Sequence, residues 1–543
     1  MYKKIALLCL VVSSCFGSDL LSQMTLEEKV GQLLMAHFQG QIANENAKIL
    51  IQEAKVGAII YYNWSNGLIS PEQVKTLSAS LQSLAEENRL AIPLLIATDQ
   101  EGGIVTRLQA GFTEFPGNRA LGETGDPTLA RQAAFIMGQE MRAVGVNMNL
   151  APVVDVNSNP RNPVIGIRSF GDDPETVVAF GAQALQGYKE ARVLATLKHF
   201  PGHGDVSLDS HEELPVIHKS QKELEQCELL PFTRLGDSAD AIMTAHILVP
   251  ALDPDNCSTL SEKTLTYLRE KLGFQGLIVS DSLVMGGVLK KCHTVDEAAI
   301  LALNAGCDLL ILGGKLLTGE HKTELSATDV QRIARSILQA VLEGRIAESR
   351  VNAAVERVLS LKGRLPKEMD ESVVINAPES RAVAQTIAST ALTSVVKDAE
   401  AIGNLTQKKV FVLAPQLLEG CLSKTSLLRL GKSTTSYFYK GLNPSPMDAE
   451  IAKQMAKEAE VIVACSYNAW KNPSAQELIR SLQDKTLIVL SLRDPLDATL
   501  FPDANLTFCS FSPSASSIQA ICNQLCLKEI VRPLPPLFVN QEP

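Results

Sequence analysis

Residues 174–204 read PETVVAFGAQALQGYKEARVLATLKHFPGHG. A helical segment, Pro174 to Ala191, leads into the short apolar strand Val193 to Phe200, whose end carries Lys198-His199 before a loop rich in Gly and Pro. A continuous apolar strand next to a helix is the pattern of a buried parallel strand with a crossover helix. The unit recurs on both sides. Further strands are expected at Val56 to Tyr62, Pro93 to Asp99, Val146 to Val156, Ala241 to Val249, Leu277 to Asp281 and Cys307 to Leu312. Helical segments such as Thr128 to Val144 and Ser261 to Leu272 lie between them. At least seven such units predict an α/β fold whose N-terminal part, residues 20–365, is a (β/α)8 TIM-like barrel. An open doubly wound sheet is the alternative.

The polar residues fall where a barrel would use them. Asp99, Lys198-His199, His246 and Asp281 each lie at or near the C-terminal end of one expected strand, and in a barrel those ends converge on the face that carries the active site. A helix near Val351 to Leu365 precedes Pro366 and a polar stretch, so 366–400 is expected as a linker. From 401 to 543 a strand–helix rhythm resumes, with strands at Lys409 to Ala414, Val461 to Cys465, Leu487 to Leu492 and Leu506 to Cys509. These predict a smaller C-terminal α/β sandwich domain. It holds no phosphate-binding G-x-x-x-x-G-K-[ST] loop and no G-x-G-x-x-G after a strand.

The whole chain has 543 residues, 45% hydrophobic and 20% charged, with a formal net charge of −10. That composition excludes a disordered or collagen-like protein. The acidity and the lack of a basic run argue against nucleic acid as partner. With aromatics at 5% and only Trp64 and Trp470 as tryptophans, a platform for long polymers is not expected. At the N-terminus, Lys3-Lys4, the apolar run Ile5 to Val12 and Ser13-Ser14 read as a secretory signal over residues 1–17. Val12-Ser13-Ser14-Cys15 resembles a lipobox, which implies lipidation at Cys15 and a membrane tether. Cleavage after Gly17 and an unprocessed cytoplasmic start are the alternatives. The protein is thus expected to be exported, as a periplasmic protein or membrane-anchored lipoprotein. Eleven cysteines without a C-x-x-C pair give no zinc or disulfide framework and sit awkwardly with an oxidising compartment.

Lys198 to His211 is the densest polar stretch, with three of the eight histidines. His199 and His203 have metal-ligand spacing for a helix, but Pro201-Gly202 between them breaks one, so no metal is expected. Asp209 and His211 stand two apart, close enough for the carboxylate to hold one imidazole tautomer, as in a general acid/base with its orienting partner. A polar pair capping a loop is the competing interpretation. Asp281 can serve as nucleophile, base or ligand anchor. No G-x-S-x-G elbow offers a serine-hydrolase route.

Lys198 to His211 followed by Pro215 resembles the signature K-H-F-P-G-H-G-x-x-x-x-D-S-H-x-x-x-P of glycoside hydrolase family 3, in the D-S-H form of its bacterial β-N-acetylhexosaminidase branch. Asp99-Gln100-Glu101-Gly102-Gly103, Arg168-Ser169-Phe170-Gly171 and Ser280 to Met285 resemble other segments of that family, in the same order. The resemblance implies Asp281 as nucleophile of a retaining reaction and His211 as acid/base assisted by Asp209. It implies Asp99, Arg107, Arg168, Lys198 and His199 as ligands of a terminal N-acetylglucosamine, with no cofactor. Ile104 stands where the family commonly has Arg, and Ser282 where a second Asp is common. The expected activity is exo-acting β-N-acetylglucosaminidase on small glycans, peptidoglycan fragments above all. The same fold acting on another sugar or on phosphate, and an inert sugar-binding cell-wall protein, are the rivals.

Overall fold

The computed structural model describes residues 19–316 and 323–527 apart from His211 and Lys367. The expected signal segment with Cys15, and His211 itself, therefore lie outside the described residues. The chain divides into two compact units. One comprises the residues up to Glu101, Val105–Thr113 and Ala130–Ala377; the other comprises Gly102–Ile104, Glu114–Leu129 and the residues from Pro378 onward.

In the first unit eight parallel strands form a barrel: β1 (Leu34–Ala36), β2 (Ala58–Ile60), β3 (Leu95–Thr98), β4 (Met148–Asn149), β5 (Leu194–Phe200), β6 (Ala241–Thr244), β7 (Leu277–Val279) and β8 (Leu310–Ile311). Their order is β8-β1-β2-β3-β4-β5-β6-β7, and a parallel bridge between Val279 and Leu309 joins the two ends of the row. The open sheet is thereby excluded. Seven of these strands lie within the expected runs. β1 is the addition: its three residues follow closely on the helix Leu26–Gln32, so its apolar side chains merge with those of the helix in the sequence. The barrel strands are buried on both faces, which is why they read as unbroken apolar runs.

The helix before β5 shows how local chemistry sets the boundaries. Asp173 caps Pro174–Ala191 by accepting from the Thr176 N–H, and Pro174 occupies the first turn, where its missing N–H costs nothing. Val177, Gly181, Ala184, Leu185 and Tyr188 bury one face. Arg192 then turns left-handed at φ 58°, and the chain enters β5.

The second unit holds a six-stranded sheet: β9 (Thr393–Val396), β10 (Lys409–Pro415), β11 (Ser433–Tyr439), β12 (Val461–Ser466), β13 (Thr486–Ser491) and β14 (Leu506–Cys509). Their order is β9-β14-β13-β12-β10-β11, with only β9 antiparallel to its neighbour. Alternate residues feed two cores. Val410, Val412, Val463 and Leu490 point into one, Phe411, Leu413, Ile462 and Val489 into the other.

Two expectations about the boundary are corrected. The stretch 366–400 is not simply a linker, because helix Pro378–Ala391 and strand β9 lie within it. Ala384, Ile387, Ala388 and Ala391 form that helix's buried face. These small residues make a weak hydrophobic signal, which is why the helix is hard to see in the sequence. Residues 114–129 also belong to the second unit, where Ala120 packs in a cluster with Ala391, Ala498, Cys509 and Phe511. Contiguous domain boundaries therefore do not describe this chain.

Candidate active site

Asp99, Arg107, Arg168, Lys198, His199 and Asp281 line a single cavity of about 350 Å³ in the barrel unit. Six of the eight residues singled out in the sequence are thus brought together. Asp99 directly follows β3, and Asp281 follows β7 by two residues, so the strand ends do converge. Lys198 and His199 are neighbours on β5, and successive residues of a regular strand point to opposite faces. Here β5 shifts register against β6 between Leu197 and Phe200, and both side chains reach the cavity.

The floor is an ionic cluster. Lys198 Nζ donates to Asp99 Oδ1 at 2.9 Å and lies 2.7 Å from Glu101 Oε1. Arg168 donates to both oxygens of Glu101, at 2.9 and 2.8 Å, in the bidentate geometry that suits guanidinium and carboxylate. Arg107 Nη2 stands 3.6 Å from Asp99 Oδ2. Burial pushes the carboxyls of Asp99 and Glu101 up, but the adjacent cations outweigh it and hold both below their usual range. Burial likewise works against the Lys198 ammonium, and Asp99 and Glu101 reverse it. Asp99, Glu101 and Lys198 therefore carry their charges at neutral pH, and the cluster presents hydrogen-bond acceptors and donors from a paired base.

Asp155 supports the next layer. It is fully buried, and its Oδ1 accepts from the backbone N–H of His199 at 3.0 Å and of His203 at 2.7 Å. Its Oδ2 accepts from His199 Nδ1 at 2.7 Å, which leaves His199 Nε2 to accept from Arg168 at 3.4 Å. Sequence reasoning missed Asp155 because it lies inside Val153-Val154-Asp155-Val156 and was absorbed into an expected strand. A charged residue in an apolar run was the available signal. Glu101 was noticed only as part of its segment, not as the partner of two cations.

The loop after β5 is tied down from several sides. Gly204 lies so close to the opposite backbone that a Cβ there would meet Val156 O at 1.6 Å. His203 Nε2 and Ser210 Oγ are 2.8 Å apart, and burial pushes the His203 ring down to about 4, so it stays neutral. The Asp209 carbonyl accepts from the N–H groups of Glu212 and Glu213 at 3.1 and 2.9 Å. Ser210 lines the cavity; Asp209 does not. Among the described residues no His, Cys, Asp and Glu side chains cluster as a metal site.

Asp281 Oδ1 accepts from the Ser282 N–H at 2.7 Å, and the Asp281 N–H donates to Thr244 Oγ1 at 3.3 Å. Behind it, His246 Nε2 donates to Ser282 O at 2.9 Å while Nδ1 faces Thr259 Oγ1 at 2.8 Å. His246 was expected on the site face by its place at a strand end. It instead supports the Asp281 turn from behind and does not line the cavity. Ser282, the departure from the family pattern, donates to Gly313 O at 2.5 Å and so fastens the same turn. The exposed Trp64 and Lys315 stand at the cavity mouth, and the buried Tyr62 stacks on Trp64 with ring centroids 4.3 Å apart. Nothing local in the sequence marks Trp64 or Lys315.

The chain is similar to known proteins. The model of the glycosyl hydrolase family 3 N-terminal domain matches residues 25–361. A beta-hexosaminidase A of Pseudoalteromonas piscicida is 31% identical over 441 residues, covering 76% of this chain and 71% of that protein. A shorter beta-hexosaminidase of Pseudomonas aeruginosa is 34% identical over 304 residues, 55% of this chain and 86% of its own length. Among solved structures, a family 3 beta-N-acetylglucosaminidase from Paenibacillus sp. FPU-7 superposes with a TM-score of 0.83 at 35% identity. It covers 94% of this chain and 98% of its own, so the likeness extends over both units. With the family model covering more than half the chain and the strand-end residues gathered in one cavity, the chain belongs to glycosyl hydrolase family 3.

Proposed function

We propose that this glycoside hydrolase releases terminal N-acetylglucosamine from small glycans with retention of configuration, and that peptidoglycan fragments are its natural substrates. The observation that carries the proposal is the single small cavity lined by Asp281 together with the charged floor of Asp99, Lys198 and Arg168. Its volume is at the low end of small-molecule sites, which suits one terminal sugar and an exo mode of action. The names of the similar enzymes support the choice of sugar.

In the proposed reaction the terminal sugar rests on the floor, its hydroxyls donating to Asp99 and accepting from Lys198 and Arg168. An Asp281 oxygen forms a bond to the anomeric carbon as the bond to the leaving oxygen breaks, and His211 gives its proton to that oxygen. His211, oriented by Asp209, then takes a proton from water, whose oxygen displaces Asp281 and restores the original configuration. Asp281 is suited to the first step because its backbone is held from both sides of the turn. We also propose export through residues 1–17, which mass spectrometry of the mature N-terminus tests; a retained Met1 refutes it.

The assay is hydrolysis of a chromogenic N-acetyl-β-glucosaminide by the wild type, Asp281→Ala and His211→Ala. Each variant is expected to lose at least about 10³-fold in kcat/KM. Equal turnover in all three refutes the assignment. Adding phosphate and identifying the product separates hydrolysis, which yields free N-acetylglucosamine, from phosphorolysis, which yields the sugar 1-phosphate.

A further inference from the structure

The cavity grades from charge-paired to open. At its base Lys198 is 2% exposed and fully paired, whereas Trp64 at the mouth is 40% exposed. Arg107 and Lys315 both lie over the Trp64 ring, the guanidinium carbon at 5.2 Å and the ammonium nitrogen at 5.2 Å from its centroid. Their charges differ in availability. Arg107 faces Asp99, but Lys315 is exposed and forms no ion pair among the described residues.

Lys315 is nevertheless held in place. It follows Gly314, whose φ of +130° favours glycine, and its backbone pairs in antiparallel register with Glu324. The Glu324 carboxylate accepts from His37 Nε2 at 3.0 Å, Gln39 Nε2 at 3.3 Å and Ser65 Oγ at 3.2 Å, and Ser65 is the neighbour of Trp64. The ring and the cation are therefore parts of one anchored structure at the mouth. In the binding mode proposed above the sugar rests on the floor with its glycosidic oxygen toward this mouth, where the departing group would lie.

We propose that Trp64 and Lys315 form the subsite for the departing group, the Trp64 ring holding the Lys315 ammonium at the mouth and Lys315 pairing with a carboxylate on that group. The proposal rests on the N-acetylglucosaminidase reading and adds to it a preference for anionic aglycones. It predicts selectivity for charge next to the scissile bond, not for chain length.

Two fluorogenic N-acetyl-β-glucosaminides test it, one releasing neutral 4-methylumbelliferone and the other 3-carboxyumbelliferone. The aglycones differ in intrinsic reactivity, so the quantity read is the ratio of kcat/KM, anionic over neutral, compared between proteins. Lys315→Met, which keeps an apolar stem over the ring, is expected to lower the ratio about three- to fivefold, and Lys315→Glu to lower it further. In the wild type, raising salt to about 0.5 M is expected to produce a fall of similar size, since an exposed pair is screened. A ratio that is the same in wild type and Lys315→Met, or insensitive to salt, overturns the subsite while leaving the activity intact. Failure of the wild type to turn over either glycoside overturns the activity and the subsite together.

Discussion

Glu101 makes no contact with the cavity surface, yet its replacement by Gln tests the whole charged floor. The Glu101 side chain is 1% exposed and holds two cations, Lys198 at 2.7 Å and Arg168 through two bonds. Glutamine keeps the shape but removes the charge and turns one acceptor into a donor facing Arg or Lys. At least two charge-assisted hydrogen bonds are lost, each worth roughly 1.5–3 kcal/mol. Breaking a buried ion pair on one side costs about 3–5 kcal/mol by a separate measure, so the two agree on about 4 kcal/mol. An unfolding entropy of roughly 2.1 cal/mol/K per residue over about 350 residues converts this into a Tm lowered by about 5 °C.

The pH dependence has a definite sign. Glu101's carboxyl is held well below its ordinary value: burial alone would raise it, and Arg168 and Lys198 override that. A carboxyl depressed in the folded state contributes stability above its unfolded pKa, about 4.3, and loses it as the pH falls toward the folded value. The Tm gap between wild type and Glu101→Gln should therefore be constant near neutrality and narrow below about pH 4.5. Calorimetry from pH 7 to pH 4 reads the gap, and steady-state kinetics on the same preparations should show KM raised about tenfold as the two cations lose their shared anchor. A gap under about 1 °C at pH 7 with KM unchanged would refute the view that this cluster sets the floor.

Gly204→Ala places a Cβ against Val156 O and must displace the loop that carries Ser210. A shift of about 1 Å in a catalytic loop can cost about 10²-fold, so kcat/KM should fall by that order with circular dichroism unchanged; turnover within threefold of wild type contradicts it. Lys362 is 4% exposed, donates to Gln32 Oε1 at 2.6 Å, and burial pushes its ammonium down to about 7. The unfolded chain keeps that proton to about pH 10.4 while the folded one releases it near 7, so stability should rise with pH across this window. Lys362→Met should flatten the rise in denaturation midpoints between pH 7 and 10; an identical slope in both proteins rules the effect out.

How much of this was legible in the sequence depended on whether a feature is local. The barrel strands announced themselves because burial on both faces makes Leu194–Phe200 or Leu277–Val279 apolar without interruption. β11, Ser433–Tyr439, is a polar and partly exposed edge strand, and carries no such run. The incorporation of residues 114–129 into the second unit is a non-local event that no window of sequence records. The same division runs through the site. Asp99, Lys198, His199 and Asp281 could be proposed together because parallel strands in a barrel must end on a common face. Pairing could not be foreseen: two carboxylates and three cations allow several arrangements, and only the fold selects Glu101 as the shared partner of Lys198 and Arg168. Trp64 and Lys315 meet because β8 and β2 both lie beside β1, which brings the chain after each of them to one rim. The one barrel strand missed in the sequence is thus the element that joins the two sides of the proposed aglycone subsite. A strand of three residues, Leu34–Ala36, decides which side chains can face the departing group without touching it.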